Sequence, residues 1–379
     1  MNSRQRFVET LRFGNLPQRA LYPGNPREST LETWNTQGLP PDRDWRDSLT
    51  ETIGIPRAAV VTFEKLPVSF NPLPEFEEKI LEHRDGHYIV QDRTGAIVEI
   101  SDQYDFSYLR SPKDFVTRRW HSFPVKDRRD WEEKMRWRYT LDHAERFARD
   151  FTAQCRALSE RDVITRLEIP GPFWQLRDWV GFEDLCILFV EQPDLVQAMI
   201  DFWSEFVSMM LARLLSQIQP DYVQINEDMA YKAHSMISPQ MTKRFLLPVW
   251  KRWNAQLDAA RGIRGPVKAL DSDGYVAELI PLWIQAGFNT TFPIEVAAGN
   301  DIVAFRRQYG AQIAYIGGLD KRALAEGGAA LHAEVMRVVP PLFAHGGFLP
   351  ACDHGVPPDI SWQNFVEYSR LLAQLSGWF

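Results

Sequence analysis

The chain has 379 residues and a formal net charge of −7, with 43 Lys and Arg against 50 Asp and Glu, which excludes the basic footprint of a nucleic-acid binder. Hydrophobic residues make up 45%, with 13 Trp and 23 Phe, so a large core is affordable at this length. The polar stretch from Met1 to Arg12 predicts no signal peptide, the lack of an eighteen-residue apolar run predicts no membrane span, and three scattered cysteines (Cys155, Cys186, Cys352) suit a reducing, cytoplasmic compartment.

In chain order, short apolar runs at 19–22 and 58–62 read as strands, followed by turn residues between β-branched runs that predict a β-hairpin over 84–99. A charged, Trp-bearing stretch over 124–156 reads as helical and superficial, with Trp131 and Trp137 packing on it rather than forming a ligand platform. From Val163 the pattern becomes regular. Strands are expected at 162–168, 221–226, 266–270, 288–292, 312–316 and 347–351, alternating with helices. The clearest helix runs from Leu195 to Gln219, where Val196, Ile200, Trp203, Val207, Met210 and Leu214 keep a three-to-four spacing. Alternation of this kind implies an α/β fold with parallel crossovers, and a count of eight strands favours a closed (β/α)₈ barrel. One domain over 1–379 is expected, with N-terminal elaborations in 1–160 and regular β/α units in 161–379.

Three of these strands end in ionisable groups. Val223-Gln224-Ile225-Asn226 runs into Glu227 and Asp228, Val267 to Leu270 runs into Asp271-Ser272-Asp273-Gly274, and Phe348 to Ala351 runs into Cys352-Asp353-His354-Gly355 before Pro357 and Pro358 forbid a helix. Five carboxylates and a histidine delivered to one rim match the layout of a parallel-barrel active site. Asp228, Glu227 and His354 are the acid/base candidates. Glu295, Arg177 and Trp174 are candidate substrate contacts. Plainer roles stand beside these: Asp271 and Asp273 as helix caps, Glu227-Asp228 as a solvated pair, His354 as a structural histidine, Cys352 as a small buried apolar residue, and Arg177-Asp178 as a surface ion pair.

Several segments, in order, resemble the uroporphyrinogen decarboxylase superfamily, which holds true decarboxylases and methyltransferases that act with corrinoid proteins. They are Asn2-Ser3-Arg4-Gln5-Arg6-Phe7, Gly171-Pro172-Phe173-Trp174, Asn226-Glu227-Asp228-Met229-Ala230 followed by Ile237-Ser238-Pro239, Asp271-Ser272-Asp273-Gly274, Phe292-Pro293-Ile294-Glu295, Gly317-Gly318-Leu319-Asp320-Lys321 and Asp353-His354-Gly355. The resemblance implies a distorted (β/α)₈ barrel. The departures steer the chemistry. The Arg-rich N-terminal segment of the decarboxylases is replaced by Tyr22-Pro23-Gly24-Asn25-Pro26-Arg27, and Phe63-Glu64-Lys65-Leu66 stands where their pyrrole-binding aspartate is expected. In the methyltransferases a His-x-Cys-Gly motif binds zinc; here Asp271-Ser272-Asp273-Gly274 occupies that place, with His354 as the later ligand. The resemblance thus implies Asp271, Asp273 and His354 as a candidate metal set, with Cys352 a further ligand only where its loop turns it inward; carboxylate and imidazole suit Zn²⁺ or a harder divalent ion.

The resulting expectation is metal-assisted methyl transfer or demethylation on a small or aromatic substrate, with a corrinoid protein as partner and a homodimer as a common family assembly. The rival is decarboxylation of a tetrapyrrole or aromatic polyacid with no cofactor, His354 donating the proton. A ligand-binding barrel without catalysis is the third reading, distinguished by rim carboxylates neutralised by Arg and Lys.

Overall fold

The computed structural model describes every residue except 105–106, 111–113, 115 and 261–264. Its strands are β1 Phe63–Lys65, β2 Lys79–Arg84, β3 His87–Gln91, β4 Ile97–Ser101, β5 Arg119–Ser122, β6 Ile164–Pro170, β7 Tyr222–Asn226, β8 Val267–Asp271, β9 Thr290–Phe292, β10 Ala314–Leu319 and β11 Phe348–Cys352. Seven of them form one parallel sheet in the order β1-β6-β7-β8-β9-β10-β11. Consecutive strands are neighbours throughout β6 to β11, the simplest outcome of repeated crossovers through helices.

The alternation inside each strand explains the layering. On β7, Val223 and Ile225 join the large cluster shared with the helices, whereas Tyr222 joins a separate interior cluster with Ile164, Val267, Ala269, Ala314, Ile316, Leu349 and Ala351. Odd and even positions therefore serve opposite faces of the curled sheet.

The eighth strand expected at 19–22 is reduced to a single parallel bridge between Leu21 and Val60. Leu21 N–H donates to the Ala59 carbonyl and Val61 N–H to that of Leu21, while Pro23 accepts from Cys352 N–H of β11. Residues 21–23 thus touch both flanks of the seven-stranded sheet without making a ladder. Pro23 has no N–H to offer, and Gly24 turns the chain with φ of +115°. The second expected strand, 58–62, likewise shifts, its ladder beginning at Phe63.

The expected hairpin is present as β3 and β4, joined by a turn in which Asp92 Oδ1 accepts from the N–H groups of Thr94 and Ala96. It forms the centre of a four-stranded antiparallel sheet, β2-β3-β4-β5. The 124–156 stretch is not one helix: it breaks into short turns over 128–138 and 144–146 before a helix at Phe151–Glu160. Trp131 is buried against Trp179, with ring centroids 4.6 Å apart, whereas Trp137 is exposed. Burial of one aromatic pulls this segment onto the core and overrides its local helical pattern.

The helix Pro193–Leu215 is long and apolar enough by composition to cross a membrane. Most of that apolar surface is spent inside the fold: Val196, Ile200, Trp203, Val207, Met210 and Leu214 are all buried. The three cysteines are free thiols, Cys155 and Cys352 buried.

Candidate functional site

The ends of β6, β7, β8 and β11 converge on one rim. In register, Pro170 of β6 lies beside Asn226 of β7 and Asp271 of β8. The chain leaves β7 by folding over β8, since both Glu227 N–H and Asp228 N–H donate to the Asp271 carbonyl at 2.9 and 3.0 Å. This doubled contact drives Asp228 into the left-handed region at φ of +40°, a conformation that aspartate tolerates better than most residues and that concentrates at functional sites.

The two adjacent carboxylates then part company. Glu227 is fully buried beneath the rim. One of its oxygens accepts from the backbone N–H groups of Phe173 and Trp174 at 2.9 and 3.1 Å, and the other accepts from Trp250 Nε1 at 2.7 Å. It caps the N-terminus of the helix Pro172–Val180, where the orphan N–H groups and helix dipole favour an anion. A Cβ at Gly171 would come within 2.1 Å of the Glu227 carboxyl, so only glycine admits this approach. Burial nevertheless pushes the carboxyl up to about 7, against the pull of those three donors.

Asp228 stays at the rim. Arg177 clamps it twice, through its carbonyl at 2.9 Å and through Oδ2 at 3.1 Å. Burial raises its pKa, and Arg177 opposes the rise. The Arg177–Asp178 pair anticipated from the sequence does not form as such: Arg177 turns to Asp228, and Asp178 accepts from Trp174 Nε1 at 3.1 Å. Asp178 is raised to about 7, chiefly by burial. Trp174 and Arg177 line a groove of about 870 Å³ that separates β5 from the helices Pro172–Val180 and Phe182–Glu191 and reaches Asp228.

On the other side of the rim, Asp271 accepts from Gln224 Nε2 at 2.6 Å. Burial first, then the charge of Asp273, hold its pKa well above the usual carboxylate range. Asp273 Oδ2 meets His354 Nε2 at 3.3 Å, and the other ring nitrogen, Nδ1, faces Arg27 Nη2 at 3.5 Å. A guanidinium can only donate, which assigns the acceptor role to Nδ1 and the proton to Nε2. The bond to Asp273 raises the His354 pKa, with burial opposing it. Gly274, at φ of +81°, leaves a Cβ-sized gap of only 2.6 Å to the Ala230 carbonyl and donates its N–H to Glu295 Oε2 at 3.1 Å. Glu295 also lies 3.7 Å from Lys321 Nζ, so it braces the loop after β8.

Asp353 lies fully buried, accepting from Val296 N–H at 2.9 Å and lifted to about 6 by burial. Cys352 is buried with a thiol pushed up to about 12, which keeps it protonated and poor as a ligand or nucleophile. As a donor set, Asp271, Asp273 and His354 suit a divalent cation in kind. As placed, they are not gathered: among the described residues no three His, Cys, Asp or Glu side chains meet at metal-binding spacing. Asp271 is turned to Gln224, while Asp273 and His354 are joined to each other.

A chamber of about 170 Å³ opens between these groups and the sheet interior, lined by Tyr22, Asn25, Phe63, Arg166, Tyr222, Gln224, Phe292, Cys352 and His354. Four of these, Tyr22, Asn25, Arg166 and Gln224, are polar contacts that the strand-end pattern does not reveal. For Arg166 and Gln224 the signal is present in the sequence as charged or amide residues at alternate positions of otherwise apolar strands, Arg166 with Glu168 and Gln224 with Asn226; Tyr22 and Asn25 lie outside the strands and carry no such mark. Among the described residues neither Asp271 nor Asp273 pairs with Lys or Arg, in contrast to Asp228.

If Asp228 is chemically active, Asp228→Asn should keep the Arg177 contact and the fold, shifting stability by no more than about 1 kcal/mol. Substrate affinity or kcat should fall about tenfold with the lost charge. Unchanged kinetics in the variant would assign Asp228 to loop architecture alone.

The family model for uroporphyrinogen decarboxylase (URO-D) matches residues 156–371. Among solved structures, a methyltransferase from Methanosarcina mazei superposes with a TM-score of 0.58 at 13% identity, covering 99% of this chain and 98% of that one. A B12-independent methionine synthase from Shewanella sp. W3-18-1, in complex with selenomethionine, covers 60% of this chain and 65% of its own at 12% identity, with a TM-score of 0.36. No curated protein sequence matches the chain.

Proposed function

The chain belongs to the uroporphyrinogen decarboxylase family, and we propose that it is a methyltransferase-type member that acts on a small nucleophilic substrate at the His354 side of the rim. The observation that carries this reading is the chamber beside His354, whose volume of about 170 Å³ falls below the roughly 300–1,000 Å³ of sites for drug-sized ligands. A tetrapyrrole does not fit this chamber, and the groove of about 870 Å³ at the Asp228 side of the rim is a separate space that does not reach His354. A substrate of a few heavy atoms fits the chamber.

In this reading His354 is the base. Asp273 holds Nε2–H and stabilises the imidazolium, and Nδ1 accepts the proton of the substrate hydroxyl or thiol once the substrate takes the place of Arg27 Nη2, which faces that nitrogen at 3.5 Å. The substrate heteroatom then forms its bond to the methyl carbon as the carbon–donor bond breaks, the electron pair leaving with the donor. A corrinoid protein is the proposed source of the methyl group. Asp271, Asp273 and His354 suit a divalent cation in kind, but they are not gathered to hold one, and no step of this reading runs through a metal. Asp228, fixed by Arg177, is proposed as a substrate-facing carboxylate, and Glu227 acts through the helix that it caps.

The raised pKa of His354 favours a second reading, in which the imidazolium protonates carbon during decarboxylation of a small acid. Product analysis separates the two. With methylcobalamin as donor and a panel of small thiols and alcohols, methylated product is expected; release of CO₂ from a small acid would favour the second reading. Uroporphyrinogen should give no turnover at a biosynthetic rate in the same assay. Conversion of it to coproporphyrinogen at such a rate would overturn both the size argument and the proposal.

A further inference from the structure

The chamber contains one charge that the transfer step does not use. Arg166 lines it from β6, with its guanidinium over the rings of Phe63 and Tyr222 at 5.8 and 5.9 Å. Its Nη2 donates to Gln224 Oε1 at 2.8 Å and lies 2.5 Å from Glu168 Oε1. Its Nε is shielded from solvent and meets no acceptor among the described residues. A guanidinium keeps its charge, and with Nε closed off it is the Nη arms that meet a ligand in the chamber.

Glu168 does not settle that charge alone, because its other oxygen lies 2.5 Å from Lys65 Nζ. One carboxylate serves two cations, which leaves the wall net positive. The opposite wall is the reverse. Gln224 turns its oxygen to Arg166 and its Nε2 to Asp271 and Asn226, and beyond them stand Asp273 and His354. The Gln224 amide therefore divides the guanidinium of Arg166 from a wall of carboxyl and imidazole groups. The space between them is the chamber of about 170 Å³.

We propose that the chamber recognises a small monocarboxylate, its carboxylate accepting from Arg166 and its hydroxyl or thiol directed to His354. The carboxylate half stands on Arg166 alone; the other half rests on the methyl-transfer reading. Arg166 is thus the residue that selects the substrate class.

Calorimetric titration of the full chain with a panel of three- to six-carbon hydroxy- and mercaptocarboxylates, each paired with its own primary amide, tests this without any methyl donor. At least one acid should bind roughly ten- to a hundredfold more tightly than its amide, the range of a charge-assisted hydrogen bond. Arg166→Met should erase that preference, and Arg166→Lys, which keeps the charge and guards against a folding defect, should retain part of it. A panel in which no acid outbinds its amide, or an Arg166→Met protein that keeps the preference, overturns the proposal. Acid-selective binding without methyl transfer would sink the transfer reading while leaving the carboxylate assignment intact.

Discussion

Replacing His354 by Ala should lower kcat by about 10²- to 10⁴-fold, the usual contribution of a positioned acid or base. The side chain is half-buried at the lip of the chamber, with Nε2 held 3.3 Å from Asp273 and Nδ1 near Arg27. It is not part of the main core, so thermal unfolding of the variant should stay close to that of the parent. The pH profile carries the sharper test. The bond to Asp273 holds the His354 pKa above its ordinary value. A base must be neutral to act, so kcat/KM should rise with pH through that raised pKa. Asp273→Asn removes the main cause of the rise, and the acid limb of the profile should move to lower pH as kcat falls. A profile whose acid limb stays put in Asp273→Asn would leave His354 as a merely structural histidine.

The regular half of the fold was legible because buried parallel strands announce themselves as short apolar runs. The six strands expected after Val163 all occur, within two or three residues at their ends. The first two were less legible. Residues 20–22 are apolar, yet Pro23 and Gly24 cut the run before a ladder can form, so a strand-like composition yields one bridge. Strand ends pointed correctly to the rim but not to the direction of each side chain. Glu227 and Asp228 look equivalent in sequence, and what separates them is a distant glycine, Gly171, that lets one carboxyl pass under the rim to a helix N-terminus. The cationic wall was hidden for a related reason: Arg166 and Glu168 sit inside a strand read as apolar, and their alternation with Leu167 and Ile169 is the trace of an interior polar face.

Glu227→Ala should be the most damaging single substitution to the fold in this region, destabilising it by at least about 3 kcal/mol. The change strands three buried donors together, the N–H groups of Phe173 and Trp174 and the indole of Trp250, and opens a cavity beneath Gly171. Denaturant unfolding at constant m-value would report the loss as a lower midpoint. Its pH dependence has a definite sign. Burial lifts the Glu227 carboxyl in the fold to about 7, above its ordinary value near 4.5. A carboxyl raised in this way binds its proton more readily folded than unfolded, so it favours the fold fully below the ordinary value and progressively less as pH rises through about 7. The stability gap between the parent and Glu227→Ala should accordingly be widest near pH 4 to 5 and narrow above pH 7. A gap that widens with rising pH would mean that the three donors outweigh burial and hold the carboxylate ionised, as a permanent anionic cap on the helix that carries Trp174 and Arg177 to the rim.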